Sequence, residues 1–246
     1  MKRFFEHVFV LIFWLLVWVC IAAAVGSELL IPFPTAVFLK IIELCRKSSF
    51  WLSAITSLFR VAEGFLLGSA VGVLMAVLTA KSRLASLFLR PLLSLIKATP
   101  VASFIILAVI WLEFDKVPVL TSMLVVIPTV WANVEKGILS TDKKLLIMAH
   151  GFSVPESRIL SGIYIPTVRP YFLAAVNSAM GMAWKAGVAA EVICPYKNSI
   201  GTALYNSKIY LETTELFAWT AVTVLLSVLL EKAVSALIKK GERRHA

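Results

Sequence analysis

Two ionisable residues, Lys185 and Glu191, lie inside an otherwise apolar run and are the first candidates for chemistry in this chain. A charge at the centre of a bilayer costs about 2.5–3.5 kcal/mol on insertion scales, so such residues usually face a bundle interior or a watery cavity. Together with the neighbouring Trp184, they are the candidate residues of a solute pathway, in which Lys185 attracts an anionic solute. An ion pair between Lys185 and a neighbouring helix explains the same charge, and both interpretations stay open.

Motifs for enzyme chemistry are absent from the sequence. It has neither a GxxxxGK[ST] phosphate loop nor an HExxH metal motif, and the three histidines, His7, His150 and His245, are widely scattered. No histidine falls within an apolar run, as a buried Ser-His-Asp triad would require. We therefore expect no catalytic residues, no metal site and no cofactor bound by this chain. Any uphill transport takes its energy from a partner or an ion gradient.

The composition is that of a membrane protein. Of the 246 residues, 60% are hydrophobic and 15% are charged, whereas soluble domains carry about 25% charged residues. The net charge of +10 is explained by basic loops on one side of a lipid bilayer, so no nucleic-acid partner is expected. The three cysteines form no CxxC pair, which argues against a disulfide framework.

The apolar runs predict an all-α fold, a single transmembrane domain that occupies residues 1–246. Six spans are predicted, at residues 8–25, 61–80, 92–112, 117–134, 168–193 and 216–238. The first run exceeds the usual signal-peptide core of about 7–15 residues, so we interpret it as a retained anchor. Most Lys and Arg residues fall on the side of the two termini, which predicts that both termini are cytoplasmic.

Small residues recur every four positions in two of the predicted spans. Gly64, Gly68 and Gly72 form a row in the second span, which predicts close packing against another helix. A similar row in the fifth span ends at a carboxylate and consists of Ala175, Ala179, Ala183, Gly187 and Glu191. Such a face suits a helix that lines an interface or a pathway.

The loop at residues 136–166 is charged and yet patterned as structured helix. Ser140 and Thr141 are predicted to cap a first short helix, and Gly151 to end it. Ser153 is predicted to cap a second helix, with Pro155 at an early helical position. A compact helix-turn-helix on the cytoplasmic side is typical of a docking surface for another protein.

This loop resembles the cytoplasmic EAA loop of permease subunits of type I, binding-protein-dependent ABC importers. In the register set by Pro166, Ala149 and Ile163 match the family pattern, whereas Ile147 replaces its Glu and Ser153 its Gly. The stretch WKAGVAAE at residues 184–191 is similar to the nitrate, sulfonate and taurine branch. The resemblance runs from about residue 30 to the sixth span.

The resemblance implies a plasma-membrane permease that works in a larger assembly. Two permease subunits, here expected to be a homodimer, would form the pathway for a small solute. Two cytoplasmic ATPases that bind ATP and magnesium would grip the loop, and an extracytoplasmic binding protein would deliver the solute. We expect the ATPase-coupling contact at six consecutive residues, with Phe152 as its centre: Ala149, His150, Gly151, Phe152, Ser153 and Val154.

Three alternatives compete with this interpretation. An ion-coupled secondary transporter would use Lys185 and Glu191 as a relay, but the two halves of the chain show no internal repeat. A membrane-embedded enzyme lacks a site, and a structural membrane subunit would need no pathway. The sequence leaves open which solute is carried, whether two different permeases pair, and what Ile147 changes in the loop.

Overall fold

The computed structural model describes residues Lys2–Arg243, and these residues form helices and no strand. The helices are α1 (Lys2–Val25), α2 (Pro34–Cys45), α3 (Ser48–Lys81), α4 (Arg83–Ala98), α5 (Val101–Trp111), α6 (Val117–Leu139), α7 (Lys143–Gly151), α8 (Glu156–Ile159), α9 (Ile165–Ile193), α10 (Ile200–Ile209) and α11 (Thr213–Arg243). A π-helical segment, Leu160–Tyr164, joins α8 to α9. The expected all-α fold is confirmed.

Five helical segments are long and apolar enough to cross a membrane, and α4 with α5 forms a bent pair that makes up to six. The helix predicted at 61–80 begins earlier, at Ser48, because the polar positions Arg60 and Glu63 do not interrupt its backbone. The helix predicted at 117–134 continues to Leu139. The other predicted spans at 8–25, 168–193 and 216–238 lie within α1, α9 and α11.

The third predicted span, residues 92–112, is not one helix. The chain bends by 105° between α4 and α5, at Thr99 and Pro100. Proline disfavours the α conformation of the residue before it, and Thr99 accordingly has ψ 128°. The two helices are roughly 24 and 16 Å long, so neither alone covers a hydrocarbon core of about 30 Å. The predicted span therefore consists of two shorter helices joined by a sharp bend.

Contacts divide the chain into two compact units. The first unit contains the chain up to Ser57 together with Glu191–Leu226. The second unit contains Leu58–Ala190 and the chain from Ser227 onwards. Three helices, α3, α9 and α11, contribute residues to both units.

In the second unit, α3 packs tightly against α6. A Cβ added at Gly68 would lie 2.8 Å from the carbonyl oxygen of Met123, and one added at Gly72 would lie 2.9 Å from Cβ of Val130. A Cβ added at Gly64 would lie closer still to the carbonyl oxygen of Val119. Only glycine allows the two backbones to approach this closely, as membrane helices commonly do.

The contacts also fix the direction of these helices. The partners on α6 advance from Val119 to Val130 as α3 advances from Gly64 to Gly72, so α3 and α6 run parallel. In contrast, α9 runs antiparallel to α6, because Ser122 donates to the carbonyl oxygen of Ala183 at 3.1 Å while Gly137 contacts Tyr171. A parallel pair needs a return crossing between its members, and the chain between α3 and α6 contains only α4 and α5.

In the first unit, α11 is the central helix. The ring of Phe217 lies 6.0 Å from that of Trp18 in α1, and the hydroxyl of Thr213 donates to the carbonyl oxygen of Leu29 at 2.7 Å. The amphipathic helix α2, which begins at Pro34, binds α11 through the ion pair of Lys40 with Glu215 at 3.4 Å.

Candidate coupling site

The short helix α7 begins at a carboxylate cap rather than at a hydroxyl. The side chain of Asp142 accepts a hydrogen bond from the backbone N–H of Lys144 at 2.8 Å. The predicted cap at Ser140 and Thr141 is wrong, because Ser140 still belongs to the end of α6 and its hydroxyl donates to the carbonyl oxygen of Gly137. Asp142 both satisfies a free N–H and places negative charge at a helix start.

A tight turn connects α7 to α8. Gly151 is the last residue of α7, and the backbone N–H of Phe152 donates to the carbonyl oxygen of Met148 at 3.0 Å. Ser153 has φ 53° and does not cap a helix, so this prediction is wrong; Pro155 holds the capping position of α8. The left-handed region favours glycine, which is the residue that the EAA pattern has at this register.

The turn presents an apolar surface to solvent. Phe152 is 79% exposed and Ile147 is 72% exposed, whereas Ala149 and Ile159 are buried. Val154 is half-buried and its backbone N–H donates to the carbonyl oxygen of Ala149 at 3.0 Å. A large aromatic side chain that is exposed in a tight turn is typical of an anchor for a partner protein.

His150 links α7 to α8 through both of its ring nitrogens. Nδ1 lies 2.7 Å from the carbonyl oxygen of Leu146, and Nε2 lies 3.1 Å from a carboxylate oxygen of Glu156. Both partners are acceptors, so the doubly protonated ring satisfies both contacts. The Leu146 carbonyl and, to a lesser extent, the Glu156 carboxylate raise the pKa of His150 above its ordinary value.

The segment that follows connects this surface to a long helix. The π-helical residues Leu160–Tyr164 pass directly into α9, which continues without a break to Ile193. Single π-helical turns of this kind occur frequently at functional sites. Helix α8, which follows the exposed turn, is therefore joined by continuous helix to one of the apolar spans.

Comparison with known proteins identifies the family of this chain. The family model described as a binding-protein-dependent transport system inner membrane component matches residues 68–244, which is more than half of the chain. The chain belongs to this family. It is a membrane-spanning permease subunit of an ABC importer and not an enzyme, and its place is the inner membrane.

Three relatives show which branch the permease falls in. SsuC of Bacillus subtilis strain 168, named for aliphatic sulfonates transport, is 26% identical over 88% of this chain and 78% of its own length. The taurine transport permease TauC of Escherichia coli K12 is 23% identical over 91% of this chain and 83% of its own length. The bicarbonate transport permease CmpB of Synechococcus elongatus is 24% identical over 65% of this chain and 58% of its own length. The nitrate, sulfonate and taurine branch is thus confirmed.

Solved structures share the fold at low identity. An amino acid ABC transporter crystallised with histidines has a TM-score of 0.61 and 16% identity, covering 77% of this chain and 91% of that one. The methionine transporter MetNI in an inward-facing form has a TM-score of 0.58 and 14% identity, covering 77% and 93%. The family assignment decides against an ion-coupled secondary transporter.

The three candidate pathway residues of the permease lie in different surroundings on α9. Lys185 is exposed, whereas Trp184 and Glu191 are each 1% exposed. The row of small residues that ends at Glu191 is buried along its whole length: Ala175, Ala179, Ala183 and Gly187. Lys185 therefore lies off the buried face, as its position in the sequence predicts, and its role in a pathway stays a prediction.

Glu191 organises a buried cluster in the first unit. One of its carboxylate oxygens accepts from the hydroxyl of Ser57 at 2.7 Å and from the backbone N–H of Gly201 at 3.2 Å. The oxygen of that hydroxyl accepts in turn from the backbone N–H of Ile200 at 3.0 Å. The next N–H, that of Thr202, donates to the hydroxyl oxygen of Ser199 at 3.0 Å.

This cluster satisfies the first three free N–H groups of α10, with one acceptor each from α3, α9 and the preceding loop. We call Ser57, Glu191 and Gly201 the α10 clamp. Glu191 was a candidate from the sequence, whereas Ser57 and Gly201 were not, because their pairing depends on contacts between distant parts of the chain. Within residues 2–243, no group of three His, Cys, Asp or Glu side chains could hold a metal ion.

Proposed function

We propose that this permease docks its ATPase on the surface formed by α7, the turn at Phe152 and the start of α8. The coupling residues are the predicted set Ala149–Val154, and the exposure of Phe152 at 79% is the observation that carries the proposal. Ala149 closes the turn, because its carbonyl oxygen accepts from the backbone N–H of Val154 at 3.0 Å, and Ser153 has the left-handed backbone conformation within it. ATP and magnesium belong to the partner, since this chain carries no nucleotide-binding motif.

The orientation of the permease follows from charge. We place both termini and the loop at residues 136–166 in the cytoplasm, because most Lys and Arg residues lie on that side when the chain crosses six times. The parallel packing of α3 and α6 supports six crossings. In this orientation, the Phe152 turn faces the compartment that contains ATP.

The substrate that we propose is a small solute of the nitrate, sulfonate and taurine class or a related organic compound. The support comes from the three relatives, which are named for the transport of aliphatic sulfonates, taurine and bicarbonate. An extracytoplasmic binding protein delivers the solute, and a second copy of this chain completes the pathway as a homodimer. Closure of the ATPases tilts the spans through α7 and α8, which gives alternating access.

A pull-down from mild detergent tests the docking surface. The tagged permease with Phe152→Asp is compared with the native chain and with Tyr210→Asp, a matched control in which an aromatic residue that is 73% exposed in another interhelical turn is changed. We expect the ATPase to co-purify with the native chain and the control and to be lost with Phe152→Asp. Equal recovery with all three chains would show that the ATPase binds elsewhere.

A further inference from the structure

Lys185 is a charge inside a membrane-spanning helix, and the coupling surface gives it no role. It lies eight residues before Ile193, the last residue of α9, which is about 12 Å at the helical rise per residue. Its side chain is exposed, and among the residues that the structure describes no carboxylate forms an ion pair with it. An unpaired ammonium is costly in hydrocarbon, so such a residue faces water or the interior of an assembly.

The side of α9 that carries Lys185 is exposed and partly polar. Asn177 and Ser178 lie on it at helical spacing from Lys185, and its other exposed residues are Ala174, Met182 and Ala189. On α3, in contrast, exposed positions such as Leu66 and Leu74 carry large side chains as apolar as the lipid tails. The exposed side of α9 therefore suits contact with water rather than with lipid, and we call these six residues the α9 polar face.

An acidic side chain of α11 approaches this face without pairing with Lys185. A Cβ added at Gly181 would collide with the carboxylate of Glu231, and the hydroxyl of Ser235 donates to Oδ1 of Asn177 at 2.6 Å. The last part of α11 thus runs antiparallel to α9 and places Glu231 one helical turn before Lys185, within the second unit. Since no ion pair joins the two residues, the ammonium of Lys185 is available to a solute.

We propose that the α9 polar face lines the solute pathway and that Lys185 is its anion-binding residue. The occupant is a small oxyanion or the sulfonate group of a larger solute, whose oxygens accept charge-assisted hydrogen bonds from the ammonium. The proposal rests on the solute class proposed above, because the relatives are named for aliphatic sulfonates, taurine and bicarbonate. It does not depend on where the ATPase docks.

The first test measures the charge that a reagent meets on the α9 polar face. Ala189→Cys is introduced into the full-length permease with its three native cysteines replaced, and the protein is placed in lipid nanodiscs, which leave both membrane surfaces open to solvent. An anionic and a cationic methanethiosulfonate reagent are compared, and each rate is divided by the rate of the same reagent with 2-mercaptoethanol, an uncharged thiol. We expect both reagents to react and the anionic reagent to react faster.

Lys185→Gln removes the charge one helical turn from the new thiol. A unit charge at this range acts with opposite sign on the two reagents, so the ratio of the anionic to the cationic rate should fall roughly tenfold or more. Lys185→Arg keeps the charge and should keep the ratio. Leu66→Cys, at an exposed apolar position of α3, is the control and should react with neither reagent, in the native background or with Lys185→Gln.

Two outcomes of this test would overturn the proposal. If Ala189→Cys reacted with neither reagent, lipid or a second copy of the chain would cover the α9 polar face. If the ratio of the two rates were the same with Lys185 and with Lys185→Gln, the ammonium would not act on solutes that pass this face.

The second test measures anion binding itself. Methanesulfonate, nitrate and bicarbonate are added separately, at constant ionic strength set with sodium gluconate, while Ala189→Cys reacts with the uncharged reagent methyl methanethiosulfonate. We expect at least one of the three anions to slow the reaction saturably, and Lys185→Gln to abolish this protection. Lack of protection by all three anions would refute an anion site at Lys185. The ATPase pull-down would be unchanged by that result, so failure of this site is distinct from failure of the docking surface.

Discussion

Replacement of Glu191 tests whether the α10 clamp holds the N-terminal end of that helix. Glu191→Ala removes the oxygen that accepts from Ser57 and from the backbone of Gly201. The buried N–H of Gly201 then has no acceptor, which costs about 1–3 kcal/mol of stability. The loss of hydrogen bonds to a charged group costs a similar amount. We expect the local opening of α10 to become easier by about 3 kcal/mol.

Hydrogen exchange measured by mass spectrometry reports this opening directly. Since each 1.36 kcal/mol is a factor of ten, amides at the start of α10 should exchange roughly a hundredfold faster in Glu191→Ala. Glu191→Gln keeps an acceptor at the same position, and we expect it to lose much less protection. Both donors bind one oxygen of Glu191, so the amide oxygen of glutamine can accept from both.

A matched pair of glycine substitutions gives an independent check. A Cβ added at Gly201 would collide with Glu191 and lie 2.6 Å from the backbone nitrogen of Val192, whereas one added at Gly151 meets no atom within 4 Å. Gly201→Ala should therefore loosen α10 as Glu191→Ala does, and Gly151→Ala should leave it unchanged. Native-like protection of α10 in both Glu191→Ala and Gly201→Ala would refute the clamp.

Two further predictions concern the coupling surface. Ser153→Gly should stabilise the turn by about 0.5–1 kcal/mol, because φ 53° strains a residue that has a Cβ; a lower unfolding temperature would contradict this. The pKa of His150 is raised by its two acceptors, so the link to Glu156 is fully present below the ordinary imidazole pKa of about 6.5. The link is lost as the pH rises through the higher pKa of His150 in the folded state. His150→Gln should therefore remove the pH dependence from the protection of the α7 amides against hydrogen exchange. The same pH profile in the variant and in the native chain would refute the link.

Periodicity and composition were sufficient to predict most of the helices, including the short pair α7 and α8. Apolar runs mark the buried or lipid-facing segments directly, and the Ser140–Pro166 region has the helical spacing that the structure shows in α7 and α8. Phe152 is exposed, and its role as an anchor stays a prediction. These features depend on residues that are close in the sequence, where each side chain constrains its own backbone.

The features that the sequence did not predict depend on distant contacts or on competing local signals. Asp142, Ser140 and Thr141 are all good caps, and only the actual end of α6 decides which of them is used. The clamp joins Ser57 to Gly201, and no local pattern relates residues so far apart. The sequence contains Pro100, but a proline alone does not predict that the chain bends by 105° there.

The parallel packing of α3 and α6 leads to a last prediction, about the path of the chain between them. Since both helices run in the same direction across the membrane, the bent pair of α4 and α5 must return the chain to the side from which α3 began.

Single cysteines at Ser82, before α4, and at Asp115, after α5, should then label from opposite sides of the membrane. The background chain has its three native cysteines replaced, and a cysteine at Ser140, after α6, is the control. We expect Ser82 and Ser140 to react with an impermeant maleimide only in inside-out vesicles, and Asp115 only in right-side-out vesicles. If Ser82 and Asp115 labelled from one side, α4 and α5 would form a re-entrant pair, and the contacts from Gly64 to Gly72 could not belong to two helices that both cross the membrane.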